Sequence, residues 1–221
     1  ADRDGDDRAE VMQTLAEGWP PARAGVDVTG LTLDPRDGAV WFGLGVRLYN
    51  DAYELAETGV AQNDLGSERG AILRIAPDFE SREKICTGIR WPIALRFHRH
   101  GDLFCTDQEG ATWLPNGNPF DELLHIERGR HYGFPPRHPT HLPDVIDEPS
   151  VYDYGPQHQS TCGMNFNEPV NGGPVFGPPW WAGDALVAGE SRGKIYRTRL
   201  AKSDHGYVAH NEILACLGMM I

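Results

Sequence analysis

The sequence predicts an all-β chain, a β-propeller portion of about three four-stranded blades. A strand–turn–strand unit recurs along the chain, and two further strand-like segments trail each copy. Turn formers also punctuate the whole length, with 26 Gly and 17 Pro among 221 residues. Such a chain folds around short strands rather than long helices.

The first unit pairs Leu31-Thr32-Leu33 with Ala39-Val40-Trp41-Phe42 across Pro35-Arg36-Asp37-Gly38. The second pairs Ala94-Leu95-Arg96-Phe97 with Leu103-Phe104-Cys105-Thr106 across His98-Arg99-His100-Gly101. The third joins Gly163-Met164-Asn165-Phe166 to Ala185-Leu186-Val187-Ala188 through a long Gly/Pro-rich connection. Strand pairs trail each unit: 71–75 and 82–86; 122–126 and a short piece near His131–Phe134; 194–198 and 208–214. Four strands per unit and roughly 60–80 residues per unit are a propeller pattern. It places blades at about 28–88, 89–135 and 158–216, after an acidic lead-in over 1–27. One helical stretch is expected, over Asp7–Leu15.

Antiparallel strands A to D, counted outward from the axis, put the A–B and C–D turns on one face. The B–C and D–A connections lie on the other. Length gathers at 43–69, 107–120 and 134–160, so the B–C/D–A face is the expected working face. The 167–182 insertion, on the opposite face, is the exception.

A net charge of −12 excludes a cationic face for nucleic acid or anionic lipid. Unbroken apolar runs reach only about eight or nine residues, far below the ~20 of a membrane helix. No signal peptide is visible. The acidic opening without Met and the apolar last residues suggest a piece of a longer protein. Cys86, Cys105, Cys162 and Cys216 form no CxxC and are expected as buried free thiols.

Gly189-Glu190-Ser191-Arg192-Gly193 fits GxSxG, but a strand-like run follows it, so it is expected as a hairpin turn. The Asp-rich opening lacks the EF-hand's Gly and Glu positions and is expected as a solvated tail. His98 and His100 lack further zinc ligands nearby in sequence. His131, His158 and Arg90 fall at or beside the long-loop face. Asp121-Glu122 offer oxygen ligands suited to calcium, or an acidic strand entry.

Several ordered stretches together resemble the glucose/sorbosone dehydrogenase family of six-bladed propellers. They are Ala61–Gly70 running into Ala71–Ile75, Gly88-Ile89-Arg90-Trp91-Pro92, Gly101-Asp102-Leu103-Phe104, Asp121-Glu122-Leu123 ahead of Gly129–Pro135, and Trp181–Asp184 with Arg192–Arg197. The resemblance implies half of a six-bladed ring, completed by further blades or a partner chain. It implies an extracytoplasmic oxidoreductase that oxidises a sugar-like alcohol or aldehyde with pyrroloquinoline quinone (PQQ) and calcium. Carried over, it assigns His131 or His158 as base, Arg90, Trp91 and Arg192 to the cofactor, and Asp121 and Glu122 to the metal. The family's own base position is occupied here by Val28, its acid after strand B by Leu44, and an amide by Trp91. The second reading is therefore a non-catalytic propeller that binds carbohydrate or protein through Trp91, Trp113, Tyr132 and Tyr154.

Overall fold

A computed structural model describes residues 3–20, 25–48, 51, 53–60, 62–110, 119–135, 144–156 and 158–218. Among these residues, twelve strands form three four-stranded antiparallel sheets in sequence order. The first holds β1 (Val28–Leu33), β2 (Val40–Leu44), β3 (Ala71–Ile75) and β4 (Arg82–Thr87). The second holds β5 (Pro92–Phe97), β6 (Leu103–Asp107), β7 (Asp121–Ile126) and β8 (Tyr152–Tyr154). The third holds β9 (Thr161–Phe166), β10 (Ala185–Gly189), β11 (Lys194–Ser203) and β12 (Gly206–Cys216). The inner strand β5 lies against both β1 and β9, so the sheets fan from a common side as propeller blades.

Strand pleat explains the packing. Side chains alternate faces with period two, and the middle sheet is covered on both. Leu103 and Cys105 of β6, with Leu124 and Ile126 of β7, face the first sheet and join Trp41, Ile72 and Ile85. Phe104 and Leu123 face the third and join Tyr154, Met164, Phe166 and Val187. This is why β6 reads as a continuous apolar run rather than an alternating one. Phe104 is fully buried at the second junction. Phe104→Ala is expected to cost about 3–5 kcal/mol, read as a lower denaturant midpoint at unchanged slope.

The two tight A–B hairpins are each closed by a backbone hydrogen bond, the first over a turn one residue longer than the second. Asp34 N–H donates to Ala39 O at 2.8 Å, and His98 N–H donates to Asp102 O at 2.8 Å. His98 is buried on Phe104 and Phe166 rather than lying at the surface.

Three expectations are corrected. Asp7–Leu15 is not helical; the only helical turns among the described residues are 3-10 turns at Pro179–Trp181 and Glu190–Arg192. The outer strand of the second sheet is β8, not the piece near His131–Phe134. That piece is extended, but it pairs with the neighbouring sheet. Thr87 N–H donates to Arg130 O, Tyr132 N–H to Thr87 O and Phe134 N–H to Gly88 O. It thereby covers the open edge of β4. Gly88 makes this close approach possible: its φ is +79°, and a Cβ there would sit 2.6 Å from the His131 ring. The long excursion of the second sheet is consequently the C–D connection over 127–151, whereas the D–A connection is only 155–160. Finally, Cys86 and Cys105 are buried thiols, but Cys162 is half-buried and Cys216 exposed.

Candidate active site

The strand directions bring the heads of β5, β7, β9 and β11 and the ends of β6 and β10 to one face. Polar residues there interrupt an otherwise apolar fold, and most of them are buried.

Asp107 closes β6 and is fully buried. Its carboxylate accepts from Arg90 N–H at 2.8 Å and Trp91 N–H at 2.6 Å, holding the entry to β5. Burial pushes its carboxyl up to about 6, against those two hydrogen bonds and the Arg90 charge, which pull it down. Glu109 and Glu122 are pushed well above the ordinary glutamate range, first by burial and then by the Asp107 charge. Arg90 is itself buried, and its guanidinium donates to Gln108 O at 2.6 Å. It is a counter-charge to this acidic cluster.

Asp121 opens β7 and is fully buried. Its Oδ2 accepts from Gln159 N–H at 3.0 Å and Thr161 N–H at 3.1 Å. Its Oδ1 lies 2.9 Å from His158 Nδ1. The other ring nitrogen, Nε2, lies 2.7 Å from Ser160 Oγ. An acceptor carboxylate at Nδ1 assigns the ring proton there and leaves the Nε2 lone pair facing Ser160 Oγ. The His158 side chain is 23% exposed, whereas Asp121 is shielded from solvent. Beside them Gln159 Oε1 accepts from Tyr196 Oη at 2.7 Å and Lys194 Nζ at 3.1 Å, tying the segment to the third sheet.

His131 and His158 are not brought together. His131 flanks β4, the outer strand of the first sheet, with Nδ1 3.0 Å from Thr87 Oγ1. Burial holds its imidazole below the ordinary histidine range, favouring the neutral ring. His158 instead leads into β9, an inner strand.

The calcium expectation does not fit the pair Asp121–Glu122. Consecutive residues on a strand point to opposite faces, and Asp121 is engaged by three donors. Among the described residues, the three-carboxylate cluster within metal-ligating reach is Asp4, Asp6 and Glu10, all exposed. For a carboxylate-bearing quinone, Arg90 does not fit, being turned inward. Arg192 fits: it is exposed on the turn between β10 and β11, the same hairpin that carries Lys194. Trp91 adds a buried indole N–H with no hydrogen-bond partner among the described residues.

The GxSxG stretch is a hairpin turn, as its sequence context predicts. A 3-10 turn follows β10, Gly193 adopts φ +56°, and β11 follows. Tyr132 and Tyr154 are buried and present no stacking surface; Trp113 lies outside the described residues. Sequence reading missed Asp107, Glu109, Gln159 and Ser160. Their only signal was polarity placed directly after or before an apolar strand.

No protein-family profile matches the chain, and no curated protein matches it. Solved structures do. A glucose dehydrogenase-type oxidoreductase of Thermus thermophilus matches at TM-score 0.64 and 23% identity, over 93% of this chain and 58% of that one. The apo soluble aldose sugar dehydrogenase of Escherichia coli matches at 0.58 and 16%, over 83% and 53%. The PQQ-bound aldose sugar dehydrogenase of Streptomyces coelicolor matches at 0.58 and 19%, over 88% and 51%. The chain thus spans a little over half the length of these structures. No helix among the described residues is long and apolar enough to cross a membrane. At these identities the likeness is one of architecture: the chain has the β-propeller fold of the soluble sugar dehydrogenases.

Proposed function

We propose that this face belongs to an oxidoreductase that oxidises a sugar-type hydroxyl or aldehyde hydrate, with His158 as proton acceptor. The observation that carries the reading is the buried Asp121 carboxylate 2.9 Å from His158 Nδ1. Oxidising an alcohol carbon removes a proton from oxygen and a hydride from carbon. Asp121 fixes the tautomer in which Nε2 can accept that proton, and it stabilises the imidazolium that results. Being held also by two backbone amides, it cannot swing away.

The fold shared with sugar dehydrogenases, one of them PQQ-bound, supports a quinone as the hydride acceptor. A bound quinone would supply that acceptor; Arg192 would meet a carboxylate of it by charge pairing. The Trp91 indole N–H would donate to an oxygen. The rest of a ring, from further blades or a partner chain, completes the site. An extracytoplasmic setting rests on the sequence resemblance alone. The burial of Tyr132 and Tyr154 removes two of the four aromatic side chains on which the purely binding reading relied.

The test adds PQQ, with and without calcium, to the full chain and follows dye reduction with aldoses and sorbosone. His158→Gln is expected to lower kcat by about 10²–10⁴-fold while quinone binding, read by absorbance titration, persists. Absence of both quinone binding and turnover in the wild-type chain would overturn the proposal.

A further inference from the structure

The oxidoreductase reading uses Asp121 and His158 and leaves Ser160 unexplained. We infer that Ser160 is an acylatable nucleophile, and that this face hydrolyses small carboxylic esters. Asp121, His158 and Ser160 form a hydrogen-bonded series, 2.9 Å from Oδ1 to Nδ1 and 2.7 Å from Nε2 to Oγ. Such a triad is defined by geometry and roles, not by fold or order in the chain. With the proton on Nδ1, the Ser160 hydroxyl donates to Nε2, the arrangement that makes a serine oxygen nucleophilic.

The backbone at Ser160 is a second, independent observation. Its φ is +52°, a left-handed conformation uncommon for a residue with a side chain. Glu190 N–H donates to Ser160 O at 3.0 Å and Ser191 N–H to Gln159 O at 3.2 Å, which holds that conformation. The effect is to turn residues 158 and 160 toward one another. Ser191, the serine of the GxSxG stretch, places its Oγ 2.5 Å from Ser160 Oγ. Ser191 Oγ also lies 3.3 Å from Glu190 Oε2, so its single proton serves either that carboxylate or the oxygen that would attack. Arg192 follows on the same turn, and its charge would favour the carbonyl oxygen that becomes negative.

In the forward step Ser160 Oγ bonds to the acyl carbon while its proton passes to His158 Nε2. The acyl–alkoxy bond breaks and the leaving oxygen takes that proton, giving an alcohol and an acyl-serine. Water then attacks the acyl carbon through the same base, releasing the acid and restoring Ser160. No oxidant or reductant is involved. Asp121 and Ser160 are buried and His158 is partly exposed, so access is narrow and short acyl groups are the expected class.

The test treats the full chain with a fluorophosphonate probe and, separately, 4-nitrophenyl acetate, without quinone. One probe adduct is expected, mapped by mass spectrometry to Ser160, together with saturable ester turnover. Ser160→Gly suits the positive φ, so the fold survives its loss of the hydroxyl. It is expected to abolish the adduct and lower turnover by about 10²-fold or more. His158→Gln is expected to do the same, and Ser191→Ala to produce a smaller fall. An unlabelled wild-type chain, an adduct elsewhere, or labelling that survives Ser160→Gly would overturn the inference. Because no quinone is present, failure of sugar oxidation leaves this result standing, and the reverse holds too.

Discussion

Asp121→Asn is expected to leave the chain folded and to lower both proposed reactions by about 10³–10⁴-fold. The Asn carbonyl can still accept from Gln159 N–H and Thr161 N–H, which now use Oδ2. Its NH₂ group then faces His158 Nδ1, which must turn from donor to acceptor. The ring proton moves to Nε2, where it points at Ser160 and at any substrate hydroxyl. An Nε2 that already carries a proton cannot take another. Nitrogen shifts of the imidazole read the tautomer directly, so the chemical cause can be separated from a general loss of structure. Asp121→Ala is a different experiment. It leaves two buried amides and an imidazole N–H without their acceptor, and is expected to cost about 3–5 kcal/mol in denaturant unfolding. Unchanged rates in Asp121→Asn would show that the orientation of His158 is not what either reaction needs.

Much of the fold was legible because strand alternation and turn residues are local signals. The hairpins at 34–39 and 98–102 follow from their flanking apolar runs and the intervening turn residues 35–38 and 98–101. The outer strand of the second sheet was not legible in this way. Tyr152-Asp153-Tyr154 is three residues long and lies far from β7 in sequence, while 131–134 has a comparable strand-like pattern. Choosing between them depends on Gly88 letting the second stretch approach β4, a tertiary fact. The site shows the same division. Asp121-Glu122 reads as a chelating pair if adjacency is taken as proximity. Once β7 begins at Asp121, pleat alone sends the two carboxylates apart, so this much was recoverable from the sequence. The His158–Ser160 contact was not. Residues two apart meet here only because Ser160 takes a positive φ, which nothing in its composition signals. Arg90 reads from the sequence as an anion anchor beside the long-loop face, but its guanidinium is buried there. Its inward turn follows from Asp107 and Glu109, residues that only the fold places around it.

Those buried carboxylates set the second large expectation: stability should fall as pH rises through the range where most proteins gain it. Asp107 has its carboxyl pushed from 3.8 to about 6, so the folded chain holds a proton the unfolded chain has released. Stability from this group is full below about pH 4 and is lost as pH rises to about 6, a change of roughly 3 kcal/mol. Glu109 and Glu122, held well above their ordinary range, extend the loss to higher pH. Groups of the opposite sign act elsewhere. Asp34 and Glu83 are held low by hydrogen bonds from Arg36 and Arg128. At Glu68 and Asp102 burial pushes the carboxyl up, but hydrogen bonds and charge from Arg82 and Lys202 outweigh it and hold both low. All four remove stability only as pH falls below about 4. His98 and His131, held low by burial, add stability as pH rises through about 6.5. The bare profile therefore mixes opposing slopes, and a single substitution isolates the acidic cluster. Glu122 Oε2 is buried with no hydrogen-bond partner among the described residues, and Asp107, Asp153, Asp121 and Asp147 are the charges that press on it. Glu122→Gln keeps the shape of the protonated side chain and cannot ionise. Its advantage over the wild-type chain should be small at pH 5 and grow to about 1–3 kcal/mol at pH 8. Denaturant midpoints at the two pH values measure that difference. An advantage that stays constant, or shrinks, would mean that Glu122 is already ionised in the folded chain and that a cation or solvent reaches it.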